Sequence, residues 1–314
     1  MNSTLSIALP TYNRATFLDA ALARLIPVIA PYDIRVFVSD NQSTDDTAAV
    51  VARHKAAYPL LDYGCNAENI GPDGNFEVAL RQAPTRYVWL LGDTYEIAPD
   101  ALRKVMATVD GKRSLDAIVV DVEGRAATTP EWLYTDRDAL LADLGWHMTC
   151  MSALILNRDL IKNAAFERYQ NTSFIHVGII FDHIARHVPQ VQWLNGSGVN
   201  SLRIEGQVKV SVWEKRTFDI WVDSWTGFVL SLPAVYSLQA KLACIIRHGE
   251  RSGLFSLASL VKLRGGSVLH TATIRHRWAA LRLATGWRRF LILACAFVPR
   301  PLARAAMRAK VGSR

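Results

Sequence analysis

The sequence predicts an α/β protein with a mostly parallel sheet and helices on both faces. Three observations lead there. Apolar runs of strand length alternate with runs of helical periodicity through the N-terminal half. The first two strand runs each end in a polar cluster, Pro10-Thr11-Tyr12-Asn13-Arg14 and Ser39-Asp40-Asn41. Half of the 314 residues are hydrophobic, which suffices for one core of about 200 residues and an appended region. An α/β domain is therefore expected over residues 1–205 and a helical region over residues 206–314.

The elements follow in order. Leu5 to Leu9 reads as a buried strand, and Thr16 can cap a helix whose Phe17, Leu18, Ala21, Leu22 and Leu25 share one face. Ile34 to Val38 is the second strand. Ser43 or Thr44 can cap the helix after it, with Asp45 and Asp46 in the first turn, where the helix dipole favours negative charge. Tyr87 to Leu91 reads as a third buried strand, ended by Gly92. Pro99 suits the first position of a helix from Asp100 to Met106, and Ala117 to Val122 is a further strand. A helix is expected from about Thr172 to His187, with Val177, Phe181, Ile184 and Val188 as its buried stripe.

In an open α/β sheet, ligands bind beyond the carboxyl ends of the strands, where strand backbones fix the site and helix N-termini offer N–H donors. The two polar clusters lie at that edge, so a nucleotide site is the first functional expectation. Cys65, Cys150, Cys244 and Cys295 are far apart and form no metal-ligand spacing, which fits a reducing, cytoplasmic setting. The N-terminus enters a strand without a basic or long apolar lead, and no secretory signal is expected.

The net charge of +8 is unevenly placed. After Glu250 there are thirteen Lys or Arg and no acidic residue, which leaves 23 basic and 28 acidic residues before it, a net of −5. A mildly acidic body with a basic C-terminal segment points to a polyanionic surface. Between Trp278 and Val298, apolar residues including Trp287, Phe290 and Phe297 interleave with Arg282, Arg288 and Arg289, an interfacial pattern. The apolar run from Phe290 to Val298 has nine residues, far short of the roughly 20 that span a bilayer. The segment is expected to lie on an anionic membrane surface; the bland alternative is a basic helical subdomain packed on the main core, and nucleic acid is the less favoured partner.

The N-terminal motifs resemble those of the family 2 glycosyltransferases of the GT-A fold. Those enzymes open with an apolar strand and a Pro-Thr-Tyr-Asn-Arg run, here residues 10 to 14, followed by Asp-Asn-x-Ser-x-Asp-x-Thr, here Asp40 to Thr47. Asn69-Ile70-Gly71 with Gly74-Asn75-Phe76 is similar to the family's nucleotide-binding segment, and Trp89-Leu90-Leu91-Gly92-Asp93 takes the place of its acidic metal motif. The resemblance covers residues 4 to 106 well and continues loosely to about 200. It implies sugar transfer from a nucleotide donor. Pro10, Thr11 and Tyr12 would then line the base and ribose pocket beside Arg14, Asp40 with Asn41 would accept from base or ribose, and Asn69, Gly71 and Asn75 would let the chain approach the donor. The bland alternative for Asp40 and Asn41 is a turn and helix cap.

The sequence departs from the family at Asp93-Thr94-Tyr95-Glu96, where two or three consecutive acidic residues are usual. A divalent Mg2+ or Mn2+ bridging the diphosphate needs hard oxygen ligands. Asp93 is one, and Glu96 can supply the second; otherwise a positive side chain takes over, or the ion is held weakly. Metal use is the favoured expectation. The general base of such inverting enzymes is usually an Asp or Glu near the start of a helix after the central strands. No carboxylate lies between Glu167 and Asp182, so His176 is the first candidate for base or acceptor contact and Asp182 the second. His183 and His187, at i and i+4 without the Glu of a zincin helix, read as a surface pair. Asn171-Thr172-Ser173-Phe174 resembles an acceptor-side segment of polysaccharide-building members, and Trp213, Trp221 and Trp225 read as packing residues.

Together these readings predict an inverting transferase on the cytoplasmic face of the inner (plasma) membrane. It would move sugar from a UDP-, dTDP- or GDP-sugar to a lipid-linked saccharide bound for a surface polysaccharide. The rivals are a catalytically silent nucleotide-sugar-binding subunit and, less favoured, a nucleic-acid-binding protein.

Overall fold

The computed structural model describes residues 4–207 and 212–311. The chain forms two compact units, Met1–Leu140 with His147–Lys209 and Leu141–Trp146 with Val210–Arg314. The short segment Leu141–Trp146 thus falls with the C-terminal part, a detail the single boundary at 205/206 does not contain.

The first unit runs β1 (Leu5–Thr11), α1 (Ala15–Ile29), β2 (Arg35–Asp40), α2 (Thr47–Ala57), β3 (Leu61–Cys65), α3 (Gly71–Gln82), β4 (Tyr87–Leu90), β5 (Tyr95–Ile97), α4 (Pro99–Val109), β6 (Ala117–Val122), β7 (Trp132–Tyr134), α5 (Arg137–Leu144), β8 (Leu154–Asn157), α6 (Arg158–Lys162), α7 (Ile175–Ile184) and β9 (Val191–Ser201), with α5 ending in the second unit. The strand order is β3-β2-β1-β4-β8-β6-β9-β5, with β7 also on β9. β1, β2, β3 and β4 are parallel, as is β9 with β6. β8 runs against both β4 and β6, and β5 and β7 run against β9. The sheet is therefore mixed: β1–β4, β6 and β9 share one direction, and β5, β7 and β8 oppose it. The reason is β8, a four-residue strand that fills the gap between β4 and β6 from the opposite direction. Gly198 permits the irregular pairing of β9 with β6, because a Cβ there would lie 1.8 Å from the Asp121 carbonyl oxygen.

Long-range contacts set the helix starts. Thr16 does not cap α1; its first amide, Ala15 N–H, donates to Asp45 Oδ2 at 2.9 Å. Ser43 and Thr44 lie ahead of α2 and face the first loop: Asn13 N–H donates to Ser43 Oγ and Thr44 N–H to Asn13 Oδ1, each at 2.8 Å. Of the described helices, α1 with its following turn, Ala15–Tyr32, is long and apolar enough to cross a membrane by composition. Its Leu18, Ala21, Leu22, Leu25 and Ile29 are buried against the first unit, as the amphipathic pattern requires.

The second unit is helical: α8 (Trp225–Ser231), α9 (Leu238–Arg251), α10 (Leu257–Gly265), α11 (Thr271–His276), α12 (Trp278–Thr285), α13 (Arg289–Phe297) and α14 (Arg300–Val311). Trp225 is fully buried and Trp221 stacks on His248 at 4.6 Å, so these two pack a core, whereas Trp213 is exposed and meets only the edge of Trp221. Much of the basic charge is internal to this unit. Arg264 donates to the Val298 and Leu269 carbonyls, Arg288 to those of Gly249 and Glu250, and Arg304 to that of Gly265, each quieting an orphan carbonyl at or near a helix end. Leu281, Ile292 and Ala296 face inward, while Trp287, Phe290 and Phe297 are exposed, Trp287 to 70%.

Candidate active site

The site forms where β1, β2 and β4 end. Thr11 and Asp40 stand opposite each other in the β1–β2 register, and Asn41 N–H donates to the Thr11 carbonyl at 3.0 Å. Leu91 N–H donates to the Ala8 carbonyl, so the chain leaving β4 stays beside β1 and delivers Asp93 to the same edge. There Asp93 accepts from Thr11 Oγ1 at 2.9 Å and from Arg14 Nη1 at 3.1 Å. Tyr12, Asp40 and Asp93 therefore share one sheet edge. Pro10 and Thr11 are buried in β1, while Tyr12 is 43% exposed and its hydroxyl has no hydrogen-bond partner among the described residues.

Several expected donor contacts have structural work as well. Asp40, 1% exposed, accepts from Ser43 N–H at 2.9 Å and from the Tyr63 hydroxyl at 2.7 Å. Burial, followed by this bond to Asp40, pushes the Tyr63 phenol above its ordinary range. Asn41 donates to Asn69 Oδ1 at 2.8 Å and to the Gly71 carbonyl, and accepts from Ile70 N–H at 3.0 Å. Asn75 accepts from Ser39 Oγ at 2.7 Å and donates to the Ser39 carbonyl at 3.0 Å, and Asn66 bridges the Asn41 and Asn75 side-chain oxygens. Four asparagines thus pin the start of α3 to the ends of β1 and β2. Gly71 has φ +77° with open space around its α-carbon, so backbone conformation is what requires glycine there.

The expected metal pair is not assembled. Glu96 lies on β5 and accepts from Arg24 Nη1 at 2.7 Å, and Arg24 also donates to the Arg203 carbonyl. Asp93 is held by Thr11 and Arg14, so the local charge beside it is already a guanidinium. One carboxylate shared with an arginine does not fit the hard oxygen set that Mg2+ or Mn2+ requires. Glu96, the expected second ligand, is engaged by Arg24 in this structure.

The segment 170–176, the expected acceptor side, is tied to the ends of β1 and β2 through α3. Asp73 Oδ2 accepts from Ser173 N–H at 2.9 Å, and Glu77 accepts from Gln170 Nε2 at 3.0 Å. Asp73, Phe76 and Glu77 at i, i+3 and i+4 present one face to residues 170–176, and the intervening Asn75 holds the strands. Burial pushes the Asp73 carboxyl up to about 6 despite the backbone N–H groups that it gathers. His176 is 3% exposed, meets the Phe76 ring edge-on at 5.7 Å and has Nε2 3.2 Å from the Thr149 carbonyl. That contact assigns the proton to Nε2 and leaves Nδ1, buried without a hydrogen-bond partner, as the lone-pair nitrogen. Burial pulls its pKa down to about 4, so the ring is neutral at pH 7. Asp182 is the second candidate. Arg168 at 2.8 Å and Arg186 at 2.7 Å bracket its carboxylate six residues along the helix, a structural ion-pair cluster. α7 begins at Ile175, later than expected, and Val188 is exposed beyond its end.

Residues 6–179 match the model of the family described as Glycosyl transferase family 2. The chain belongs to glycosyl transferase family 2. It is 27% identical over 199 residues to the abequosyltransferase RfbV of Salmonella typhimurium, covering 56% of this chain and 60% of that protein. It is 34% identical over 183 residues to the GalNAc(5)-diNAcBac-PP-undecaprenol beta-1,3-glucosyltransferase of Campylobacter jejuni, covering 56% and 59%. The chain thus spans about three-fifths of the length of these curated relatives. In fold it resembles S. aureus TarS 1-349, with TM-score 0.56, 14% identity and coverage of 98% and 92%. It also resembles the mannosyltransferase PcManGT of Pyrobaculum calidifontis, solved with GDP-Man and Mn2+, with TM-score 0.54, 17% identity and coverage of 96% and 88%.

For this family 2 chain, sequence reasoning missed Tyr63, Asn66, Asp73 and the loop Thr149–Ser152. The loop is fixed where the Trp89 indole donates to the Ser152 carbonyl and Gly92 N–H to Ser152 Oγ. Asn66, a polar residue directly after β3, repeats the strand-then-polar pattern of β1 and β2 and was the readable signal. Asp73 and Ser152 make contacts across 60 or more residues and carry no local one.

Proposed function

We propose that this chain is an inverting glycosyltransferase that moves a sugar from a UDP-, dTDP- or GDP-sugar to a lipid-linked saccharide at a membrane surface. The convergence of Tyr12, Asp40, Arg14 and Asp93 on one sheet edge of a family 2 chain carries this reading. Tyr12 offers an exposed ring for the base, and Asp40 keeps acceptor capacity beyond its two present bonds. Pro10, Thr11, Asn41, Asn69, Gly71 and Asn75 shape the backbone around the nucleotide. Arg14 uses one N–H on Asp93, and its other N–H donors can meet the departing diphosphate. The acceptor hydroxyl attacks the anomeric carbon opposite that diphosphate, and its proton passes to Nδ1 of His176. A bound diphosphate would raise the affinity of that nitrogen for a proton.

The lipid-linked acceptor rests on the undecaprenol-linked acceptor in the name of the Campylobacter relative and on the second unit. Trp287, Phe290, Phe297 and Leu302 are exposed among arginines, and Trp278–Phe297 and Arg300–Met307 bend by 101°. A surface-lying segment on the anionic cytoplasmic face of the plasma membrane suits that combination. The unassembled Asp93–Glu96 pair favours one second reading, a nucleotide-sugar-binding subunit without turnover. Thermal stabilisation by a panel of UDP-, GDP- and dTDP-sugars, with and without Mn2+, tests the donor and metal together. Turnover with lipid-linked acceptors then separates the two readings: stabilisation without transfer selects the subunit, and no stabilisation by any donor sinks both.

A further inference from the structure

The opposite edge of the sheet carries a second cluster. β8 runs against β4 and β6 runs against β8, so β6 begins at the edge away from Thr11 and Asp93. Asp116, just before β6, stands with Oδ1 3.0 Å from His187 Nε2 and 3.4 Å from His183 Nε2. Its other oxygen, Oδ2, accepts Gln190 N–H at 2.8 Å, which fixes the plane of the carboxylate. His183 sits in the last turn of α7 and His187 in the turn after it. Arg137 braces that turn by donating to the carbonyls of Ala185 and His187. One ligand atom from each of the three residues lies within 4.8 Å of the others.

We propose that Asp116, His183 and His187 form a Zn2+ site with three protein ligands and a fourth position open to solvent. Tetrahedral Zn2+ with bonds of about 2.0–2.1 Å places its ligand atoms about 3.3 Å apart. The two observed nitrogen–oxygen separations, 3.0 and 3.4 Å, lie on either side of that spacing. Two imidazoles with one carboxylate suit Zn2+, whereas Mg2+ and Ca2+ favour oxygen ligands throughout. Gln190 supplies the outer hydrogen bond that orients a ligating carboxylate. His187 is the most exposed of the three and gives the ion its way in. Bound there, the ion ties the end of α7 to the start of β6. The site stands apart from the donor edge, so it does not depend on the sugar-transfer reading.

The test uses the full chain without a histidine tag, stripped with a chelator. Zn2+ is titrated by calorimetry and Co2+ by visible absorption. One equivalent should bind, with the intense ligand-field bands of a low-coordinate Co2+ centre and a rise in melting temperature on adding Zn2+. His187→Gln, at an exposed position, should keep the apo melting temperature and weaken Zn2+ binding at least tenfold. The H183Q/H187Q double variant should lose binding and the melting rise, while Asp93→Asn should bind Zn2+ like the parent. The proposal is overturned if the parent shows no saturable binding, which leaves a hydrogen-bonded His–Asp trio. It also fails if His187→Gln binds with parental affinity, or if Asp93→Asn loses the ion.

Discussion

Replacing Tyr12 with alanine separates donor binding from folding. The ring is 43% exposed at the end of β1, and its hydroxyl makes no hydrogen bond among the described residues, so few native contacts are lost. An exposed substitution of this kind changes stability by roughly 0.5 kcal/mol or less. Stacking of a base on an aromatic ring is worth about 1–3 kcal/mol. The donor dissociation constant should therefore rise about 5- to 150-fold while the melting temperature of the donor-free protein stays within about 2 °C. Calorimetric titration of parent and variant with the donor nucleotide that stabilises the parent most measures the first quantity, and thermal denaturation without ligand the second. Tyr12→Phe, which keeps the ring, should bind like the parent. Unchanged affinity in the alanine variant would refute the placement of the base on Tyr12, and a large fall in melting temperature would refute the claim that the ring is idle in the fold.

Asn75→Ala should act in the opposite manner, lowering unfolding stability by about 2–4 kcal/mol in urea, because the Ser39 hydroxyl and carbonyl lose a buried partner; a change below 0.5 kcal/mol would show that the asparagine clasp is slack. His176→Ala should lower turnover at least tenfold with donor affinity nearly intact, and the acid limb of the parent's pH–rate profile should fall well below 6.5, since burial holds this imidazole near 4 in the protein alone. Acidification should destabilise the fold. Burial keeps His147 at about 3 and His176 at about 4, against an ordinary 6.5, so their contribution is complete above pH 6.5 and is lost as pH falls towards 4. Asp73, raised to about 6, works against this by regaining its proton below pH 6. Two imidazoles outweigh one carboxyl, for a net loss of roughly 2–3 kcal/mol between pH 7 and 5. A melting temperature that holds or climbs over that range would contradict the sign.

The donor edge was legible because its signals are local: β1, β2 and β4 announce themselves by apolar runs, and the polar residues that follow them need only strand polarity to be placed. What local pattern could not supply was the other half of the sheet. β8 has four residues, and β9 carries Gln192, Asn195 and two glycines within its pairing, so neither shows a clean apolar run; tertiary pairing overrides weak propensity there. The caps fail for the same reason. Thr16 is the better local cap, but Asp45, thirty residues away, reaches Ala15 first. Of the two arginines on Asp182, Arg186 at i+4 was a legible helical partner, whereas Arg168, fourteen residues before it, was not; Arg24 lies seventy-two residues from Glu96. The His183–His187 pair is legible from its i, i+4 spacing, whereas Asp116 reaches it only through the pairing of β6.

The crossed bonds between the loops after β1 and β2 have a kinetic consequence. Asn13 closes on Ser43 and Thr44, Ala15 closes on Asp45, Asn75 seals the strands beneath them, and Thr11 meets Asp93 across eighty-two positions. The backbone amides of Asn13, Ala15 and Thr44 each bond across to the other loop, which couples the two loops. Deuterium should therefore enter them through a single shared opening, and the nucleotide cradle should come apart in one step.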